Sequence, residues 1–417
     1  MITPETYAAA GVDTGQAESA LSGLLGWLNQ TFTFPGAVGR PVLENGFYAN
    51  VHDLGNGLGV ALSTDGVGTK LLVAELLGRY DTVGIDCVAM NVNDILCVGA
   101  RPIALVDYLA VQRVDGTMLE QLGRGLYEGA RQAGVAIASG ELAQVPEMLK
   151  GHPDGTGFDI AAAAVGVVAL DRIIDGSAIQ DGDVVIGFRS SGLHSNGYTL
   201  ARRVLLGACP LEDPLPALGG VTLAEELLRP TLIYVKPILA ALQQTGGITG
   251  LAHITGDSFL NLLRLRTACG FELTSLPKPH PIFALIQKLG PVQTEEMYQV
   301  FNMGIGFCVV ARPEAAAAVL AAAAGHGFEA QVIGHARSAL PGVVSLPAQG
   351  LVADKHGFRK AENNPQITQP FGRAQDKQRG FRPACAPRPE PNSITGVPGT
   401  TDQDTSDRLE TEPITTD

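Results

Sequence analysis

The sequence is short of the features that mark most specialised protein classes. Of its 417 residues, 17% are charged and 6% aromatic, with a single tryptophan. No run of about 18 or more apolar residues occurs, and the longest candidate, Ile160 to Leu170, is alanine-rich and too short to cross a bilayer. The opening MITPETYAAAGVD lacks the basic and apolar regions of a secretory signal, so a cytoplasmic protein with no membrane partner is expected. The six cysteines (Cys87, Cys97, Cys209, Cys269, Cys308, Cys385) form no Cys-x-x-Cys pair. Neither a zinc site nor a disulfide framework is signalled, and reduced, mostly buried thiols are expected. Lys and Arg number 29 against 42 Asp and Glu, a formal net charge of −13, which argues against nucleic acid as a partner because phosphate-backbone binders need a basic stripe.

What is present is core-forming material. With 45% hydrophobic residues the chain can bury a large interior, and its length suggests two or three domains. Residues 355–417 hold eight of the 26 prolines and show no apolar period, so a disordered tail is expected there. Its nine basic and nine acidic residues cancel, which places the whole −13 on residues 1–354. Truncation at Asp354 is therefore expected to leave stability and activity nearly intact.

Within 1–354, glycine-punctuated strands alternate with helical stretches, a pattern of the α/β (or α+β) class. Residues 1–170 read as one domain: strand 59–63, helices 69–77 and 82–98, strand 103–109, helix 118–133, then strands 135–139 and 160–169. A second domain, 171–354, opens on Asp181-Gly182-Asp183 and the strand 184–188. Helices 198–206, 223–228, 233–243 and 313–324 and strands 306–311 and 330–333 follow.

Three motifs could carry chemistry. Ser63-Thr64-Asp65-Gly66-Val67-Gly68-Thr69-Lys70 runs from a strand into a helix but fails the P-loop pattern. Its glycines permit backbone N–H groups to converge on an anion, Asp65 could hold a divalent cation, and Lys70 could neutralise phosphate. Read by itself, the turn serves equally well as plain structure. In the apolar helix containing GIDCVAMNVNDIL, Asp86 and Asn93 share a face about two turns apart, with Asp94 about 80° round. Buried polar groups need partners, either Mg²⁺ or neighbouring protein groups. The loop Ser190-Ser191-Gly192-Leu193-His194-Ser195-Asn196-Gly197 offers groups that bind phosphate or move a proton. Glu141 follows the strand 135–139, and His253 in AHITGD reads as structural.

Taken in order, STDGVGTK, GIDCVAMNVND, SGE, DGDVVIGFRSSGLHSNGYTL, RPTLIYVKPIL, LAHITG and EMYQVFNMGIG resemble the aminoimidazole ribonucleotide synthetase family, also called phosphoribosylformylglycinamidine cyclo-ligase, over roughly residues 7–334. That resemblance implies a two-domain protein whose N-terminal sheets form a shared barrel in a homodimer. It implies ATP-dependent closure of an imidazole ring on a small nucleotide substrate, with Mg²⁺ and K⁺ as cations. By the same resemblance Asp65, Gly66, Gly68, Thr69, Lys70, Asp86, Asn93, Asp94 and Glu141 would surround the nucleotide, Asp65 and Asp94 would bind metal, and Ser191, His194 and Asn196 would face substrate. Lys70 and His194 would be catalytic. A loop lysine contributes little packing, so Lys70→Ala is expected to reduce ATP use far more than stability.

The chain departs from the family at Pro35-Gly36-Ala37-Val38-Gly39-Arg40-Pro41-Val42-Leu43, at Leu142-Ala143-Gln144-Val145-Pro146-Glu147, and at Gly256-Asp257-Ser258-Phe259, where glycine-rich or Thr-Ala-Glu sequence is usual. An acid at Asp257 would repel an anionic ribonucleotide unless it points away or meets a cation. Two alternatives stay open: another ATP-dependent enzyme of the superfamily, or a noncatalytic nucleotide-binding paralogue. Within the superfamily, selenophosphate synthetase expects a reactive residue ahead of Cys87, and SSGLHSNGY and EMYQVFNMGIG match the cyclo-ligase type rather than thiamine-monophosphate kinase.

Overall fold

The computed structural model describes residues 5–12 and 14–361. The first part runs α1 (Thr14–Leu28), β1 (Asn50–Asp53), β2 (Leu58–Gly66), α2 (Leu71–Leu77), α3 (Asp81–Leu96), β3 (Arg101–Val111), α4 (Gly116–Ala133), β4 (Ala136–Gln144) and β5 (Phe158–Ala169). Its five strands lie in the order β1-β2-β5-β3-β4, antiparallel except for the parallel pair β3/β4. In β5, FDIAAAAVGVVA alternates buried and less buried positions, the period expected of a strand with one covered face. Helix α3 supplies that cover, with α4 packed against α3. A Cβ on Gly125 of α4 would overlap the Asp81 carbonyl oxygen, so the two backbones meet where only glycine fits. Asp115 caps α4 by accepting from the N–H groups of Thr117 and Met118 at 2.8 and 2.9 Å.

The expected shared barrel is not found. The sheet is open, with β1 and β4 as its outermost strands, the 39–42 segment bridging to β1, and no pairing that joins β1 to β4. Helix α3 packs on one face of these strands, and among the described residues the sheet does not curl its edges together into a lumen, as a barrel requires.

The second part contains β6 (Val184–Arg189), α5 (Tyr198–Leu205), α6 (Leu223–Leu227), α7 (Val235–Gln244), β7 (Ile248–His253), β8 (Gly270–Leu273), α8 (Pro281–Leu289), α9 (Thr294–Val300), β9 (Ile305–Ala311), α10 (Ala316–Gly325), β10 (Ala330–Arg337), β11 (Val344–Leu346), β12 (Leu351–Asp354) and β13 (Gly357–Lys360). They build a mixed eight-stranded sheet, β13-β12-β11-β8-β10-β6-β9-β7. Strands β7 and β9 are buried at every position and read as nearly continuous apolar runs. The sheet continues past the boundary expected at Asp354. Residues 357–360 pair with β12, and the Phe358 ring lies 6.1 Å from that of Tyr298, so truncation at Asp354 removes packed structure. The rest of the expected tail lies outside the described residues. Among the described residues no helix is long and apolar enough to cross a membrane.

Candidate active site

Strand β2 ends in Asp65-Gly66, and the chain turns through Val67, Gly68 and Thr69 into α2. Gly68 has φ +72° with open space where a Cβ would stand, so glycine is required there for its left-handed backbone, not for room. The turn is clamped by Asn91 of α3. Its Oδ1 accepts from the Asp65 N–H at 3.0 Å and its Nδ2 donates to the Asp65 carbonyl at 3.0 Å. Sequence reasoning passed over Asn91 for its neighbours. Its one signal was an amide inside an apolar helical run, which needs a partner as much as Asp86 does.

The Asp65 carboxylate accepts from the Gly66 N–H at 2.8 Å. Burial, and then the nearby Asp94 charge, push it up to about 6. Asp94 lies 2.8 Å from Nδ1 of His253, the buried last residue of β7. The two acids expected to hold metal are thus brought together and repel one another. Mg²⁺ uses one or two carboxylates with phosphate oxygens, so this pair fits it once a phosphate is present. Among the described residues no three His, Cys, Asp or Glu side chains surround a common metal position.

Lys70, Asp86 and Asn93 are placed otherwise. Lys70 is fully buried, with its ammonium 2.6 Å from Asp86 Oδ2, 2.7 Å from the Arg229 carbonyl and 3.2 Å from the His194 carbonyl. All three donors are used, and none is left for a phosphate. Burial lowers the Lys70 pKa and Asp86 opposes that shift. Asp86 Oδ1 also accepts from the Thr231 N–H at 2.7 Å and from Ser195 Oγ at 3.2 Å. Two turns on, Asn93 donates to the Leu232 carbonyl at 2.9 Å and accepts from the Tyr234 N–H at 3.0 Å. The shared face of α3 therefore staples the 229–234 segment to the first sheet instead of presenting ligands.

The loop between β6 and α5 is held by the same network. Ser191 Oγ donates to the Pro230 carbonyl at 2.6 Å, and Nε2 of His194 accepts from the Ser191 N–H at 3.1 Å. His194 is 2% exposed with φ +62°, and burial, then the charges of His253 and Lys70, hold its pKa well below the usual histidine range. Nε2 braces the loop, and Nδ1 is buried without a partner. Asn196 lines a cavity of about 430 Å³ with Asp65, Gly66, Gly68, Thr69 and Asp159, and its Oδ1 is buried without a partner. Thr69 and Thr199 meet across that cavity at 3.0 Å.

Glu141 does not join them. It lies inside β4, not after a strand end, and the register aligns Asp65, Ala162, Asp107 and Gly140 across the sheet. Glu141 falls one position further and so faces the opposite side, with Tyr108. Asp107, which the sequence did not flag, shares the face of Asp65, and burial raises its carboxyl. Of the departures, Arg40 pairs alongside β1, its carbonyl accepting from the Asp53 N–H at 2.9 Å. The Gln144 segment extends the β4 edge, with the Val145 N–H donating to the Val111 carbonyl at 2.8 Å. Asp257 adopts φ +66° and stands 3.9 Å from Arg264, so a cation partly balances its charge.

The comparisons agree with this layout. Residues 46–168 match the N-terminal domain of AIR synthase related proteins, and residues 180–342 match their C-terminal domain. The chain is 48% identical over 311 residues to a phosphoribosylformylglycinamidine cyclo-ligase of Methanothermobacter thermautotrophicus, covering 74% of this chain and 88% of that one. It is 49% identical to that of Thermococcus kodakarensis, covering 73% and 87%. Among solved structures, thiamine-monophosphate kinases of Aquifex aeolicus (16% identity, TM-score 0.53, covering 78% of this chain and 96% of that one) and Stenotrophomonas maltophilia (18%, 0.53, covering 73% and 90%) share the fold. With both domains matched in order and nearly half the residues identical across most of each relative, the chain belongs to the phosphoribosylformylglycinamidine cyclo-ligase family of AIR synthase related proteins.

Proposed function

We propose that this protein is an ATP-dependent ligase of purine biosynthesis that closes formylglycinamidine ribonucleotide to aminoimidazole ribonucleotide, releasing ADP and phosphate. The carrying observation is the open cavity lined by Asp65, the Gly68 turn and Asn196. In the reaction the terminal phosphoryl group of ATP passes to the formyl oxygen. The amidine nitrogen then attacks the formyl carbon and gives up a proton, and the C–O bond breaks as phosphate leaves. A formyl oxygen is a poor leaving group and phosphate a good one, so the protein must chiefly position two anionic ligands.

Gly66, Gly68 and Thr69 on one wall and Ser195, Asn196 and Gly197 on the other are assigned to the triphosphate. Gly68 and Gly197 both have positive φ, the backbone form that lets successive N–H groups converge on an anion. Asp65 and Asp94 would hold Mg²⁺, which when bound screens the phosphates and polarises the transferred group. Lys70, Asp86, Asn93, Ser191 and His194 position this site from behind. Incubation with formylglycinamidine ribonucleotide, ATP, Mg²⁺ and K⁺ should yield aminoimidazole ribonucleotide and ADP in equal amounts. ADP without that product would assign the ATP to another substrate, and binding without turnover would make the chain a noncatalytic relative.

A homodimer in the cytoplasm completes the reading. On the sheet face opposite α3, Leu62, Val106 and Tyr108 are 42 to 49% exposed, an apolar group that a second copy would cover. Sedimentation should give a dimer, and Tyr108→Glu should shift it toward monomer. A parent protein that sediments as a monomer at micromolar concentration would remove this part of the proposal.

A further inference from the structure

We propose that the groove between the Gly99–Pro102 turn, the end of α4 and the outer side of α7 is a second anion site, built for a small molecule that carries two or more phosphate groups on an organic body. The groove encloses about 720 Å³ and shares no lining residue with the cavity at Asp65. Its volume is within the range of small-ligand sites. Four basic side chains line it, Arg101, Arg172, Lys236 and His326, and no Asp or Glu does. In a chain of net charge −13 this is a local reversal of sign.

The two arginines are also unspent, and Lys236 feels only the more distant charge of Glu128 on α4. Arg312, Arg337 and Arg266 of the second domain are paired with Asp183, Glu272 and Asp175. Arg101, Arg172 and Lys236 make no ion pair or side-chain hydrogen bond among the described residues. His326 commits its Nδ1–H to the Ala322 carbonyl at 2.8 Å, so it borders the groove as a polar ring and the two arginines and Lys236 are the anion-binding groups. The arrangement is fixed by backbone contacts. Gly99 has φ +74° and a Cβ there would come within 3.1 Å of the Arg172 carbonyl oxygen, while the Ile174 N–H donates to the Val98 carbonyl at 3.2 Å. These contacts hold Arg172 beside the turn that carries Arg101.

Arginine forks match phosphate oxygens in pairs, and an ammonium adds a mobile point charge, so this set suits a diphosphate better than a carboxylate. Leu239, Ala240 and Leu242 of α7 form an apolar wall beside the charges, which an organic body such as a nucleoside would cover. The C-terminal end of α4 contributes about half a negative charge at the rim, and the N-terminal end of α7 contributes the opposite. Arg101, Arg172 and Lys236 decide the sign.

The test uses the full chain, with ADP as ligand and inorganic pyrophosphate as competitor, followed by titration calorimetry. The parent should bind two ADP per chain. The charge reversal R101E/K236E at these exposed positions should weaken one of them about tenfold or more, and pyrophosphate should displace ADP from that same site. R101Q/K236Q serves if the reversal fails to fold, as judged by its thermal melt. Loss of all ADP binding in the double variant with an unchanged melt would keep the groove and remove the nucleotide reading of the Asp65 cavity. Equal stoichiometry and affinity in parent and variant would overturn the proposal.

Discussion

The buried contact between Lys70 and Asp86 supports a quantitative prediction that reverses the one drawn from sequence. Both side chains are fully buried, at 2.6 Å, and the ammonium has no contact with solvent. Removing one partner of such a pair leaves the other charge stranded, at a cost of about 3 to 5 kcal/mol, because the lost attraction no longer offsets desolvation. Lys70→Met keeps most of the side-chain volume and isolates this term from cavity formation. Asp86→Asn keeps an oxygen to accept from the Thr231 N–H while removing the charge. Each single variant should be less stable by about 3 kcal/mol or more, and the double variant should be less destabilised than the sum by about 2 kcal/mol, the signature of direct coupling. Chemical denaturation of the four proteins measures the cycle. Any loss of ATP use in Lys70→Met should track lost structure and be rescued in part by Asp86→Asn. If Lys70→Met left the unfolding midpoint unchanged while abolishing nucleotide binding, the buried-pair argument would be refuted and the lysine would be a phosphate ligand after all.

Two further outcomes follow from the geometry. Asp65 titrates near 6 in the fold against an ordinary 3.8, so without metal the folded state keeps a proton that the unfolded state has lost. Stability is undiminished below about pH 4, falls as pH rises to about 6, and stays reduced above. The ceiling is on the order of 3 kcal/mol, less what solvent screens. Asp65→Asn should therefore raise metal-free stability at pH 7.5, leave it unchanged near pH 3.5, and abolish any stabilisation by Mg²⁺ with nucleotide; melting curves at both pH values check this. Gly125→Ala should destabilise by about 2 to 3 kcal/mol, although alanine favours a helix interior by about 0.5 to 1 kcal/mol, because the added methyl has only the Asp81 backbone to displace. A neutral or stabilising result in denaturant unfolding would show that α3 and α4 can separate cheaply.

The sequence alone determined the alternation of elements, because burial imposes its period locally. Strand β5, helices α3 and α4 and the Asp65 turn all lie close to their expected positions. Short elements such as β8, β11 and α9 were missed, since a few residues carry too little period to read. Sequence also determined that Asp86 and Asn93 need partners, because a buried polar group is costly in any fold. It could not say which partners. Only the tertiary structure decided that they bind the 231–234 backbone and Lys70, while Asp94 is left beside Asp65. Glu141 shows the same limit. One residue of strand register turns its side chain to the opposite face, and register is set by pairing with β3, more than 30 positions earlier in the chain. Residue types raised the expectation of a phosphate and metal site. Whether a given lysine or acid faces that site or braces it from behind depends on contacts distant in sequence, and those exist only once the sheets have packed.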